Sequence, residues 1–310
     1  MRGVADRRTV LAGAGVLLLA ACSRTPEAPA ADVPRLMLGE LEARHGGRIG
    51  VAALDLASGR RALWRSQERF AFCSTFKLFL AAATLERVGR GEERLDRAVP
   101  ITRADMIPHA PVTEKAVGGS LTIGELAQAI VEVSDNPAAN ILIREMGGLT
   151  AWRDWTKTLG DSTTLISRLE PELNSALPND PRDTALPAQT LGNLREVMFG
   201  NRLTAEHAQM LEAWLIASPT GAGRIKAAAP QGWRVAHKTG TGSDGPTNDI
   251  GVLWPVSGSP ILMVVYYDGV EGATPDQRDA VVADATRQAL KVLGVEGLGV
   301  EGPGVEGSGT

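Results

Sequence analysis

Strand patterns occur at both ends of this chain, and helical patterns occupy the part between them. RIGVAALDLASGRRALW, residues 48–64, predicts two strands joined at Ser58-Gly59. WRVAHKT, NDIGVLWPV and ILMVVYYD, which lie between residues 233 and 268, predict further strands. Apolar strands from both chain ends can hide their faces by joining one sheet. We therefore predict an α/β fold with an antiparallel sheet flanked by helices and built from both chain ends.

The middle of the chain, about residues 73–215, carries helical patterns separated by loops. Thr122 and Glu125 have the spacing of a capping box ahead of LAQAIVEV. This predicts an all-helical subdomain inserted between the strands, with the active site between the two parts. A last helix is predicted to begin at Thr274-Pro275, where a capping residue is followed by proline.

Composition excludes some classes of function. The 310 residues are 44% hydrophobic and 22% charged, which is typical of a globular domain. The net charge of -4 and the lack of a basic stripe argue against a nucleic-acid partner.

The N-terminus is predicted to be an export signal, residues 1–22. Arg7-Arg8 before an apolar stretch resembles a twin-arginine signal, and LAAC at Cys22 resembles a lipoprotein cleavage site, or lipobox. Acylated Cys22 would attach the mature chain to the membrane. The alternative is cleavage after APA, residues 28–30, which would remove Cys22 unmodified. The expected location is therefore periplasmic or lipid-anchored to the cell envelope.

AFCSTFKLFL, residues 71–80, places Lys77 in a run that otherwise predicts a buried helix beginning at Ser74. A buried charge costs stability unless it is paired or gives up its proton. One interpretation is that Lys77 reaches the surface along its own stem. The other is that its amine serves the Ser74 hydroxyl, since residues three apart share a helix face and serine needs a base to act as a nucleophile. Cys73 is better explained as a small buried residue than as the nucleophile.

Three more stretches follow in order along the chain. Ser134-Asp135-Asn136 ends a helix, EPELN (170–174) lies in a polar loop, and Lys238-Thr239-Gly240 ends a strand. Each has an ordinary explanation as a turn, a loop or a strand end. Their joint occurrence with Ser-x-x-Lys is a signature of serine β-lactamases and penicillin-binding proteins.

The chain resembles a class A serine β-lactamase, and EPELN separates it from its relatives in the superfamily. LTIGEL, SDNPAAN and PRDT extend the resemblance over about residues 36–293. The resemblance implies hydrolysis of the β-lactam ring of penicillins and cephalosporins through a serine acyl-enzyme, and hence antibiotic resistance. The implied organisation is a Pro/Ala linker at 23–35, the catalytic domain at 36–293 and a disordered VEGxG repeat tail at 294–310.

The resemblance assigns four catalytic residues. Ser74 would be the acylated nucleophile, and Lys77 would take its proton directly or support Glu170 acting through a water. Ser134 would pass a proton to the β-lactam nitrogen. Glu170 would activate the water that hydrolyses the acyl-enzyme. Glu170-Pro171 is a candidate cis peptide, and Arg168 and Asp183 would pair across the neck of this loop.

The remaining implied site residues meet the substrate or its water. Asn136 would hold the substrate side-chain amide, and Asn174 would position the water with Glu170. The substrate carboxylate would meet a group around the KTG motif: Lys238, Thr239, Gly240, Thr241 and Arg224. The backbone N–H groups of Ser74 and Thr241 would form the oxyanion hole.

Two positions depart from the common family pattern. Thr247 stands where many relatives carry an arginine, and Arg224 matches the alternative origin of that charge. His109 stands where an aromatic residue often walls the site, and its role stays open. No cofactor is implied, and the four histidines show no metal-ligand spacing.

Rival interpretations remain. Gly240 to Gly245 match GxGxxG, but a strand rather than a helix is predicted to follow, so a hairpin explains the glycines better. A penicillin-binding DD-peptidase would share Ser74 and Lys77 but would not need Glu170. A β-lactam sensor would acylate once and signal, normally through a transmembrane segment, and none follows the signal region.

Overall fold

The computed structural model describes residues 35–177, 179–243 and 245–295. Its main sheet has five antiparallel strands in the order β2-β1-β9-β8-β7. The strands of the described ranges are β1 (Arg48–Asp55), β2 (Arg61–Trp64), β3 (Phe70–Ala71), β4 (Ala98–Pro100), β5 (Ser120–Thr122), β6 (Thr184–Ala185), β7 (Arg234–Thr241), β8 (Thr247–Trp254) and β9 (Ile261–Asp268). The predicted sheet built from both chain ends is confirmed.

The helices lie on both faces of the sheet and in the segment between β2 and β7. They are α1 (Gly39–His45), α2 (Phe76–Gly89), α3 (Ile123–Glu132), α4 (Asn136–Glu145), α5 (Gly148–Thr158), α6 (Pro187–Phe199), α7 (Ala205–Ala217), α8 (Ile225–Ala228) and α9 (Pro275–Val292). The capping box at Thr122 and the start of the last helix after Thr274 are confirmed.

The two faces of the sheet belong to different hydrophobic cores. Along β9, Met263 and Val265 pack into a core formed with the terminal helices, whereas Leu262 and Val264 pack into the core that contains α2. Successive side chains of a strand point to opposite faces, so a strand covered on both sides must be apolar throughout. That requirement explains the unbroken run ILMVV.

The middle of the chain is less uniform than predicted. β3 pairs with β6, and β4 pairs with β5, so two short ladders interrupt the helical segment. α6 reaches the main sheet, where the Thr190 and Tyr266 hydroxyls are 3.0 Å apart. Strands of two or three residues are too short to show a period of two, so the sequence gives no signal for them.

Of the GxGxxG glycines, Gly240 belongs to β7, while Gly242 and Gly245 lie in the turn between β7 and β8. The Gly242 N–H donates to the Pro246 carbonyl at 3.0 Å, and β8 follows at Thr247. The hairpin explanation is therefore confirmed, because the dinucleotide motif requires a helix at this point.

Some predictions lie outside the described residues. They are the export signal at 1–22, all but one residue of the linker, and the tail beyond residue 295. Across the described ranges, none of the helices combines the length and the hydrophobicity needed to cross a membrane.

Gly50 of β1 offers a test of the packing between the sheet and β3. A Cβ at this position would lie within 2.9 Å of three Phe70 ring atoms, and Phe70 is buried beneath the Arg48 guanidinium. We expect Gly50→Ala to lower the free energy of unfolding by about 2 kcal/mol, because an overpacked ring must shift. Urea unfolding measures the change. Gly39→Ala is the control, since a Cβ there meets nothing within 4 Å; equal effects of both substitutions would contradict the packing argument.

Candidate active site

Ser74 lies on a tight turn ahead of α2. The turn is a 3-10 helix, Cys73–Thr75, and α2 begins at Phe76. The predicted helix start at Ser74 is therefore two residues early. Cys73 has a φ of 45°, in the left-handed region that non-glycine residues rarely adopt, so regular helix cannot include it. The turn directs the Ser74 hydroxyl towards the Glu170 carboxylate.

Lys77 is completely buried at the start of α2. Its Nζ lies 2.8 Å from the Ser134 carbonyl oxygen, 2.5 Å from Asn136 Oδ1 and 2.9 Å from Glu170 Oε1. The interpretation that Lys77 reaches the surface is wrong. Burial lowers the pKa of this amine, and the nearby Glu170 carboxylate acts in the opposite direction.

Glu170 contacts both Ser74 and Lys77. Its Oε1 accepts a hydrogen bond from Ser74 Oγ at 3.3 Å, and its Oε2 accepts one from Asn174 Nδ2. The peptide bond to Pro171 is cis, as expected. At the neck of this loop, Arg168 Nε lies 2.6 Å from the buried Asp183 carboxylate, so the expected ion pair forms.

Asn140 is a residue of this site that the sequence analysis missed. Its Nδ2 donates to the Glu170 carbonyl oxygen at 2.8 Å, and its Oδ1 accepts from the Glu170 N–H at 3.0 Å. One amide therefore holds both backbone polar groups of Glu170. The available signal was its position one helical turn after Asn136 on α4, which puts both amides on one face.

Ser134 and Asn136 come from the turn between α3 and α4. Ser134 has a φ of 60°, and this strained backbone turns its carbonyl towards Lys77. Asp135 caps α4 and also accepts hydrogen bonds from the Val112 and Thr113 N–H groups. Asp135 carried no predicted role, and its buried carboxylate connects this turn to the neighbouring loop.

His109 lies on that neighbouring loop at the edge of the site. Its side chain is exposed, and Nε2 is 2.8 Å from the Val133 carbonyl oxygen. Its own carbonyl accepts the Asn136 N–H at 2.9 Å. The described contacts of His109 are therefore with the turn around Ser134, and none is with Ser74 or Glu170.

Lys238 approaches Ser134 from the sheet. Its Nζ donates to Ser134 Oγ at 3.1 Å and to the Thr239 carbonyl oxygen at 2.9 Å. Burial, followed by the positive charge of Lys77, holds the pKa of Lys238 well below its usual value. Two amines thus meet at one hydroxyl, because Lys77 Nζ is also 3.4 Å from Ser134 Oγ.

Gly240 allows β7 to lie directly against the turn that carries Ser74. A Cβ at Gly240 would be 2.8 Å from the Phe72 carbonyl oxygen and 3.2 Å from Cys73 Cβ. Asn248 of β8 fixes the same turn from beneath, through a 2.7 Å hydrogen bond to the Ala71 carbonyl oxygen. The backbone immediately before Ser74 is therefore held against the sheet.

Arg224 lies behind β7 with little freedom. Its Nε donates to Asp279 of α9 at 2.7 Å, and Nη1 donates to the carbonyl oxygens of Gly240 and Asn248. Nη2 donates to Thr241 Oγ1 at 2.9 Å. Four of the five guanidinium N–H groups are thereby used. Arg224 does reach the predicted carboxylate site, but through Thr241.

The described residues contain no cluster of three or more His, Cys, Asp or Glu side chains that could hold a metal ion. The site thus brings together Ser74, Lys77, Ser134, Asn136, Glu170, Asn174 and Lys238, with Thr239, Thr241 and Arg224 along one edge.

Comparison with known proteins gives a consistent result. The model of the β-lactamase enzyme family matches residues 35–293. The β-lactamase CTX-M-8 of Citrobacter amalonaticus is 40% identical over 248 residues, which cover 80% of this chain and 85% of the relative. The carbapenem-hydrolysing β-lactamase KPC of Klebsiella oxytoca is 41% identical over 261 residues, covering 83% and 88%.

Comparison with solved structures also finds β-lactamases. An ancestral class A β-lactamase superposes with a TM-score of 0.79 at 47% identity, covering 82% of this chain and 97% of that one. A β-lactamase from Xanthomonas campestris gives a TM-score of 0.78 at 39% identity, covering 82% and 95%. The chain therefore belongs to the class A serine β-lactamases, enzymes that hydrolyse β-lactam antibiotics.

Proposed function

We propose that this chain hydrolyses penicillins and cephalosporins by a two-step route in which Ser74 is acylated and then released. The observation that carries the proposal is the meeting of three groups at Glu170. Ser74 Oγ lies 3.3 Å from Glu170 Oε1, and Lys77 Nζ lies 2.9 Å from the same oxygen. A hydroxyl, an amine and a carboxylate in contact provide a nucleophile together with two groups able to accept its proton.

In the first step Ser74 Oγ attacks the β-lactam carbonyl carbon while its proton leaves. Lys77 and Glu170 are both available as the base. The direct Ser74–Glu170 hydrogen bond favours Glu170, and the lowered pKa of Lys77 makes its neutral amine more accessible. The backbone N–H groups of Ser74 and Thr241 would receive the negative charge that develops on the carbonyl oxygen.

The C–N bond of the ring then breaks, and the ring nitrogen needs a proton. Ser134 Oγ would donate it, and either amine beside that hydroxyl could replace it. Lys238 Nζ lies 3.1 Å and Lys77 Nζ 3.4 Å from Ser134 Oγ. The product of this step is an ester between Ser74 and the opened ring.

In the second step water hydrolyses this ester. Glu170 would take a proton from the water, which attacks the ester carbonyl and releases Ser74 with its proton restored. Asn174 Oδ1 is buried without a hydrogen-bond partner among the described residues, so it can accept a hydrogen bond from this water. Deacylation is what distinguishes a hydrolase from a DD-peptidase or a sensor that stays acylated.

The substrate would be held by its side-chain amide and its carboxylate. Asn136 would receive the amide, with His109 nearby at the rim of the site. Lys238, Thr239, Gly240 and Thr241 would line the carboxylate pocket, and Arg224 would contribute from behind Thr241. The positive charge of Arg224 and the donor groups of the Lys238 amine favour an anionic group at this edge, and a bound anion would in turn favour the protonated form of Lys238.

Glu170→Gln tests the second step. We expect steady turnover of a chromogenic cephalosporin to fall by about three orders of magnitude, because the amide cannot accept the proton of the water. A burst of product should remain, and mass spectrometry should find the acyl group on Ser74. Glu172→Gln is the matched control, since Glu172 is exposed in the same loop. Undiminished turnover by Glu170→Gln would remove Glu170 from the mechanism.

Asn140→Ala tests whether the clamp on Glu170 matters. Without it, both backbone polar groups of Glu170 lose their partner, so the carboxylate is held less accurately. We expect deacylation to slow by about tenfold to a hundredfold while the burst amplitude is kept. Pre-steady-state kinetics separates the two steps. Equal slowing of acylation and deacylation would indicate a general loss of structure instead.

We also propose that the chain is exported and anchored as a monomer through acylated Cys22, with residues 23–35 as the linker and with the VEGxG repeats following the catalytic domain. The twin-arginine-like start and the LAAC sequence support this proposal. The mature protein from the membrane fraction should have the mass of a chain that begins at Cys22 and carries lipid. A mature chain beginning at Ala31 would contradict it.

A further inference from the structure

A chain of three hydroxyl groups runs behind the predicted carboxylate pocket. Thr239 Oγ1 lies 2.9 Å from Thr220 Oγ1, which lies 2.9 Å from Ser218 Oγ. Ser218 Oγ lies 3.0 Å from the carbonyl oxygen of Glu132 at the end of α3. The chain therefore connects the α3 terminus to the strand that carries Lys238.

The anchor of this chain is a helix-end carbonyl. The last carbonyl groups of an α-helix lack partners within the helix and need donors from elsewhere. The N–H four residues after Glu132 belongs to Asn136, and it donates to His109 instead. Ser218 therefore supplies the hydrogen bond that Glu132 would otherwise lack.

The anchor fixes the direction of the whole chain. A carbonyl oxygen only accepts, so the single proton of Ser218 is directed at Glu132. Thr220 must then donate to Ser218, and Thr239 must donate to Thr220. In this arrangement the Thr239 proton points away from the pocket, and the lone pairs of Thr239 Oγ1 remain for a ligand.

The hydroxyl proton of Thr241 is oriented the opposite way, towards the pocket. Arg224 has no acceptor and donates to Thr241 Oγ1 at 2.9 Å, so the Thr241 proton is available to a ligand. A carboxylate accepts hydrogen bonds only. A carboxylate in the pocket can therefore accept the Thr241 proton. It cannot accept a hydrogen bond from Thr239 while the Thr239 proton is directed at Thr220.

We propose that Thr220 is a positioning residue that limits carboxylate binding by holding the Thr239 proton away from the pocket. This inference rests on the proposed function, because it requires the carboxylate to bind beside Thr239. A substrate anion must reverse three hydroxyl groups or break one hydrogen bond before Thr239 can donate to it. Removing the Thr220 hydroxyl would free the Thr239 proton for the substrate.

Thr220→Val is the test, since it removes the hydroxyl at nearly constant shape. We expect kcat/KM to rise about fivefold for a cephalosporin that bears its carboxylate, the size of one hydrogen bond no longer broken. The same ring with hydrogen in place of the carboxylate should show no rise. Thr220→Ser keeps the hydroxyl and should behave as the parent. Thermal unfolding of each variant checks that the fold is retained.

Thr239→Val separates this inference from the proposed function. It should lower kcat/KM for the carboxylate substrate about fivefold, because the donor is gone. If it does not, the carboxylate does not bind at Thr239 and both proposals for this pocket fail. If it does, but Thr220→Val leaves kcat/KM unchanged or lowers it, the proposed binding site stands and the directional role of Thr220 is wrong.

Discussion

The arrangement of the whole site depends on hiding the Lys77 amine from water. An ammonium group without solvent must be matched by acceptors in close contact. Here Glu170, Asn136 and the Ser134 carbonyl oxygen supply them. They come from the loop before β6 and from the turn between α3 and α4, while Lys77 itself comes from α2. Meeting the needs of one buried amine therefore fixes three separate segments at one point.

That convergence requires backbone conformations that an ordinary chain avoids. Cys73, next to Ser74, and Ser134 adopt left-handed φ values, and Asp183 does so at the neck of the Glu170 loop. Such conformations persist only where the surroundings determine them. Asn248 provides such surroundings by its hydrogen bond to Ala71, just before the turn that carries Ser74. Asp135 does the same for the turn around Ser134. Both of these buried polar side chains thus support the site.

Sequence patterns predicted the sheet and the last helix, and the Ser-Lys, SDN and KTG motifs indicated side chains that the structure brings together, because strand periodicity and motif spacing are local. Asn140 was not predicted, because its place in the site depends on a contact with Glu170, thirty positions away in the chain. The β3–β6 and β4–β5 pairs were not predicted either, because strands this short do not show the alternation of apolar and polar residues. The direction of the Thr220–Thr239 hydrogen bond could not be predicted either, since it follows from the three-dimensional path to the Glu132 carbonyl.

The pairing of β1 with β9 has a consequence for synthesis. Arg48 opposes Asp268 and Asp55 opposes Ile261, so the centre of the sheet joins segments separated by most of the chain. Closing so large a loop costs entropy before any contact compensates for it, which makes such a topology slow to form. All the residues proposed to be catalytic lie between these two strands in the sequence. A growing chain therefore cannot assemble its hydrolytic centre until β9 has been made, and the enzyme gains its activity only when its last strand joins its first.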